Sequence, residues 1–118
     1  MNDNARKWVA ALRSGEFEQA QGRLKDGDAY CCLGVACELY IRETGVGSWD
    51  ERSSFLNGDG RAYSAVLPDE LQTWLGVRAD VASYAEGVCA LTIDNDNGKT
   101  FTEIADIIES EPEGLFIQ

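Results

Sequence analysis

Tyr30-Cys31-Cys32-Leu33-Gly34-Val35-Ala36-Cys37-Glu38-Leu39-Tyr40-Ile41 is the stretch on which the fold of this chain turns. At helical spacing, Leu33, Ala36, Cys37, Tyr40 and Ile41 form one apolar stripe, and Cys32, Val35 and Leu39 widen it until little polar surface remains. The strip left over is Gly34, Glu38 and Arg42, of which the last two stand four apart and can pair along the surface. Such a segment is predicted to be the central buried helix of a small domain, with the other elements laid over it. It also holds three of the four cysteines, so it is the first place to test for chemistry.

Toward the N-terminus, Asn2 or Asp3 can cap a first helix running through Leu12, with Ala5, Trp8, Val9 and Leu12 as its apolar stripe and Ser14-Gly15 as its stop. Arg6, Lys7 and Arg13 lie off that stripe and make this the most basic helix. Between the two helices, residues 19–25 and 28–31 read as a hairpin closed by Asp26-Gly27, because a type I′ turn needs two residues at positive φ. A lone hairpin is marginal in water, so this one must lie on helices or pair with a later strand.

Beyond Arg42, residues 44–60 form a glycine-punctuated loop whose Trp49, Phe55 and Leu56 could tuck back onto the core. Residues 62–67 suit a short strand. Pro68 with Asp69 and Glu70 opens a helix whose buried face is Leu71, Trp74 and Leu75 and whose stop is Gly76. Residues 79–86 fit a short helix or a loop equally, and 88–93 alternate as an extended segment entering a tight turn at 94–98. Thr100 and Glu103 form a capping box for a last helix with Phe101, Ile104, Ala105 and Ile108 inward. Pro112 and Gly114 end it, and Leu115, Phe116 and Ile117 make an apolar tail suited to docking or to a homo-oligomer interface. The expected fold is a single α+β domain over residues 1–118, mostly helical with about four helices, a β-hairpin and room for a third short strand.

At 118 residues the chain can bury a core without disulfides or metal. No apolar run approaches the roughly 20 residues of a membrane span, and MNDNARKW has no apolar signal region, so a cytoplasmic protein with reduced thiols is expected. The net charge is −11, divided as −2 over residues 1–61 and −9 over 62–118. Direct binding to a nucleic acid duplex needs a Lys/Arg footprint that this chain lacks. The acidic half serves solubility or a basic partner.

Histidine is absent, which removes Ser-His-Asp and Cys-His catalysis and His-ligated metal. Adjacent Cys31 and Cys32, with Cys37 five residues on and Cys89 far away, do not make the paired knuckles of a zinc site, so the thiols read as small hydrophobes. A nucleophilic Cys31 with its pKa lowered at a helix N-terminus is the sharper alternative. A calcium loop starting at Asp94 would need Gly sixth and Glu twelfth, where this chain has Lys99 and Ala105. The N–H groups of 98–101, with Lys99 beside them, could instead hold an anion. No catalytic residue, metal or cofactor is assigned. Trp8, Arg13, Gln19, Arg23, Lys25, Tyr30, Cys31 and Lys99 are the candidate ligand-binding residues, supplying an aromatic face and guanidinium forks to stack a base and clamp a phosphate.

Trp8-x3-Leu12-Arg13-Ser14-Gly15, Gln19 with Gly22-x-Leu24, and Tyr30-Cys31-Cys32-Leu33-Gly34-Val35-x-Cys37 resemble a family of small uncharacterised bacteriophage and prophage proteins. Leu67-Pro68-x5-Trp74-Leu75-Gly76 and Asn95-Asp96-x-Gly98-x2-Phe101-x2-Ile104-Ala105-Asp106-x-Ile108-Glu109 extend the resemblance over nearly the whole chain. It implies origin and compartment, the cytoplasm of an infected host, more than mechanism. Small acidic phage proteins often counter host immunity. The expected function is therefore a non-catalytic protein that sequesters a nucleotide-like signal. The alternative is an acidic decoy for a host DNA-binding protein or defence enzyme. A third reading is an enzyme on a nucleotide or thiol substrate.

Overall fold

The computed structural model describes residues 1–117. Asn2 caps the first helix, α1 (Asp3–Arg13), by accepting the Ala5 N–H at 2.8 Å. Its expected stripe of Ala5, Trp8, Val9 and Leu12 is buried. Two-residue strands follow: β1 (Glu18–Gln19), β2 (Lys25–Asp26) and β3 (Ala29–Tyr30), in the order β1-β3-β2. β2 and β3 form an antiparallel hairpin, but of the first strand expected over 19–25 only Lys25 belongs to it, and Gln19 lies in β1, which pairs with β3 in parallel. The hairpin loop is Gly27-Asp28, and of these two only Gly27 has positive φ (61°). That is the II′ arrangement rather than the expected I′, because the glycine occupies the first loop position.

The cysteine block forms α2 (Cys32–Thr44), capped by the Cys31 sulfur accepting the Gly34 N–H at 3.4 Å and stopped by Gly45 at φ 73°. Its first six residues are all buried, and from Glu38 onward it emerges from the core. Gly34, expected on the polar strip, is buried too. A Cβ there would lie 1.8 Å from the Leu24 carbonyl oxygen, so only glycine lets the chain before the hairpin press against the helix.

The glycine-punctuated loop is more regular than expected. β4 (Ser48–Trp49), β5 (Phe55–Leu56) and β6 (Ala62–Tyr63) make an antiparallel meander. Its turns are held by Asp50, which accepts the N–H groups of Arg52 and Ser54, and by Asn57, which accepts those of Asp59 and Arg61. Phe55 is fully buried and packs edge-on to Trp49 and Tyr40. The strand expected over 62–67 is thus only its first two residues.

α3 (Asp69–Leu75) ends at Gly76 as expected. β7 (Ser83–Tyr84) and β8 (Cys89–Ala90) then form a second hairpin, which resolves the ambiguous 79–86 segment. The extended segment expected over 88–93 stops at Ala90, and α4 (Leu91–Asp96) begins. Six residues of helix set Leu91 and Asn95 four apart on one side, and both are buried. Alternation over so short a run did not separate the two outcomes. α5 (Phe101–Glu109) has the expected capping box and buried stripe.

The tail docks within the chain. Phe116 bridges to Val77, the Ile117 N–H reaches the Gly76 carbonyl at 2.7 Å, and Leu115 and Phe116 are buried. α2 touches α1, α3, α4 and β3, while α5 lies along α1. One continuous core joins all five helices, including Trp8, Leu33, Leu71, Leu91, Ile104 and Leu115, so the chain is a single α+β domain with three small sheets. Among the described residues, no helix is long and apolar enough to cross a membrane.

Candidate functional site

Residues 20–24 leave the first sheet and cross the N-terminus of α2, where Leu24 receives the Cys31 N–H at 3.1 Å. α4 approaches the same end of α2. Asn95 holds it there, accepting the Cys32 N–H at 3.1 Å and donating to the Ala20 carbonyl at 2.7 Å. One residue on, the Asp96 carboxylate accepts the Gly22 N–H at 2.8 Å. The segment cannot close fully over the helix end, and a cavity of about 210 Å³ remains. Gly22, Arg23, Cys31 and Asp96 line it together with the apolar Val66 and Val81.

Arg23 is the unusual member. One guanidinium nitrogen (Nη2) donates to the Arg52 carbonyl, while the Nε–H is buried and finds no acceptor among the described residues. A buried donor without a partner is rare in a folded protein and calls for an explanation. Two positions along the chain, Lys25 sets its ammonium 5.4 Å from the Tyr30 ring centre and 5.9 Å from that of Trp49. Among the described residues Arg23, Lys25 and Arg52 form no ion pair, whereas Arg6, Lys7, Arg13 and Arg42 all do.

The expected site residues are therefore divided. Arg23 and Cys31 meet at the cavity, whereas Lys25 and Tyr30 do not line it and pack together with Trp49. Trp8 does not belong: it is fully buried, with its indole N–H on the Cys32 carbonyl at 2.8 Å, because the stripe that packs α1 leaves its ring no free face. Arg13 is bound to Asp106 and Glu109 of α5, both at 2.7 Å. Gln19 spends its amide on Asn95 and on the Lys99 carbonyl. Of the four N–H groups expected to hold an anion at 98–101, those of Gly98, Lys99 and Thr100 are already taken by the Asn95 and Asp94 carbonyls and the Glu103 carboxylate. A nucleophilic Cys31 is corrected as well. Burial pushes its thiol up to about 11, more than the helix-end N–H groups lower it. Complete burial pushes the Cys32 and Cys37 thiols well up too.

Sequence reasoning missed Asp96, Val66, Val81 and the anchoring role of Asn95. The run of Asp and Asn at 94–97 was the available signal, but it reads as turn chemistry until α4 is seen to carry it inward. A hollow of about 300 Å³ beside Arg78 is less suited to a ligand, since its Tyr84 hydroxyl is already held by Asp94 at 2.6 Å. The groove between α1 and α5 has its cations Arg6 and Arg13 neutralised. Among the described residues, no three Cys, Asp or Glu side chains gather as metal ligands would.

The class defined by this fold and cavity is a small α+β domain with a hollow of mixed polar and apolar lining at the head of its central helix. The chain belongs to the family described as Domain of unknown function (DUF8296), whose model matches residues 1–112. No curated protein matches it, and no solved structure does.

Proposed function

We propose that this domain binds a small nucleotide-like ligand at the Arg23 cavity and holds it without converting it. The observation that carries this reading is the buried Arg23 Nε–H, which has no acceptor on a residue lining a hollow. Leaving such a donor unpaired costs about 1–3 kcal/mol, so a shift of the guanidinium that turns this N–H onto a ligand oxygen or ring nitrogen in the hollow would be favourable. Lys25, two residues from Arg23 in the chain, and Arg52, whose carbonyl Arg23 holds, are unpaired by any carboxylate among the described residues and add positive charge to this part of an otherwise acidic chain. Tyr30 and Trp49 add aromatic surface. The raised thiol of Cys31 and the absence of histidine favour retention of the ligand over its cleavage. The resemblance to phage and prophage proteins supports a role in the cytoplasm of an infected cell, where sequestering a nucleotide signal would blunt host immunity.

Thermal shift with a panel of linear and cyclic nucleotides tests the reading. A concentration-dependent rise in Tm for at least one of them, lost in Arg23→Met, is expected, with the nucleotide recovered intact afterwards. No rise with any of them, or an equal rise in Arg23→Met, would contradict it.

The acidic-decoy reading has its own support. Asp80, Glu86 and Glu113 are exposed, and among the described residues no cation pairs with them. It requires a complex with a basic host protein that dissolves as salt is raised. Failure to recover such a complex at low salt would remove it.

A further inference from the structure

The cavity carries one group of each charge, and that restricts what part of a ligand can enter. Asp96 places a carboxylate on its wall. One oxygen (Oδ1) takes the Gly22 N–H, and the other forms no hydrogen bond among the described residues. Asp96 is an exposed residue, yet a phosphate set directly against its carboxylate would still meet a like charge, so the anionic end of a nucleotide belongs outside, toward Arg52, whose carbonyl Arg23 holds. What enters must be uncharged, with hydrogens for Asp96 and an acceptor for Arg23. The volume of about 210 Å³ suits a planar base and is small for a whole nucleotide. Val66 and Val81 offer apolar walls, and Cys31, its thiol protonated, adds no charge.

Resting on the nucleotide reading above, we infer that the Asp96–Arg23 pair selects a guanine base. Guanine sets two adjacent donors, its ring N–H and its exocyclic amino group, next to a carbonyl acceptor. A carboxylate takes the two donors and a guanidinium the carbonyl. Adenine sets a ring lone pair beside its amino group, and that lone pair would face carboxylate oxygen. Bases are generally told apart by this kind of edge contact. Asp96 is thereby the specificity-determining residue, and Arg23 serves both affinity and orientation.

Calorimetric titration with guanosine and adenosine monophosphates, on the intact protein and on Asp96→Asn, tests the assignment. Asparagine keeps an oxygen for the Gly22 N–H, and an unchanged Tm shows that the fold is retained. The expected result is about ten-fold or greater preference for the guanosine compound, as one well-made edge contact confers. The preference should be lost in Asp96→Asn. Equal affinities in the intact protein, or a preference that survives Asp96→Asn, would overturn the base assignment and leave nucleotide binding at Arg23 standing. No binding of either compound, together with no Tm rise for any nucleotide in the thermal-shift panel, would overturn both.

Discussion

Asn95 grips the first turn of the central helix: its side-chain oxygen accepts the Cys32 N–H at 3.1 Å, from 63 positions further along the chain. The same oxygen takes a Gln19 amide hydrogen at 2.8 Å, and the Asn95 amide donates to Ala20 at 2.7 Å. Asn95 is fully buried. A helix begins with free N–H groups, and here a distant element satisfies one of them. Asn95→Ala would leave several buried polar groups without partners and should lower stability by about 2–4 kcal/mol, measured by urea denaturation. Asn95→Asp should also destabilise, since it buries a charge and loses the donor to Ala20.

Gly34 gives a test with the opposite sign from helix propensity. In an exposed helix, Gly→Ala stabilises by about 1 kcal/mol. Here the new methyl would lie 1.8 Å from the Leu24 carbonyl oxygen and 2.7 Å from its carbon, both backbone atoms that cannot rotate away. Gly34→Ala should cost more than about 3 kcal/mol or prevent folding, read by circular dichroism and urea titration. A neutral or stabilising outcome would mean that the 20–24 segment does not cross the helix here.

The thiols set an alkaline limit. Cys31 ionises near the ordinary 9.0 when unfolded but only at about 11 when folded, because burial disfavours the thiolate. The folded chain therefore keeps its proton longer. Stability is fully present below pH 9 and falls as pH rises from about 9 to 11, by on the order of 2–3 kcal/mol from this group. Cys32 and Cys37 act in the same direction. Denaturation midpoints measured from pH 7 to 10.5 should decline at the alkaline end, and the decline should shrink in Cys31→Ser.

Accessibility orders the same thiols. Cys89 is half-buried on β8, whereas Cys31, Cys32 and Cys37 are buried. Iodoacetamide at pH 8 should label Cys89 first, and mass spectrometry of the native protein should find the other three largely unmodified until urea is added.

The helices were legible because their apolar residues recur at helical spacing and their ends carry strong signals, such as Thr100 with Glu103, Gly45 and Gly76. The strands were mostly not. Each is two residues long, too short for a period-two pattern, and each is defined by its partner rather than by its own residues. The parallel pairing of Glu18 with Ala29 has no local signature at all. The basic residues looked like a cluster only because they are close in sequence. α1 turns Arg13 toward α5, while β2 and its approach carry Arg23 and Lys25 elsewhere. Gly22 and Asp96 meet from 74 positions apart. A cavity walled by such distant residues appears only once α4 has docked on α2.

The most direct test of the central claim is a two-dimensional amide NMR titration of the intact protein with guanosine monophosphate. Shifts concentrated on Gly22, Arg23, Cys31, Ala65, Val66, Thr92 and Asp96, saturating with ligand and absent in Arg23→Met, are the expected result. No shifts, or shifts centred on the hollow beside Arg78 and Gly87, would contradict it.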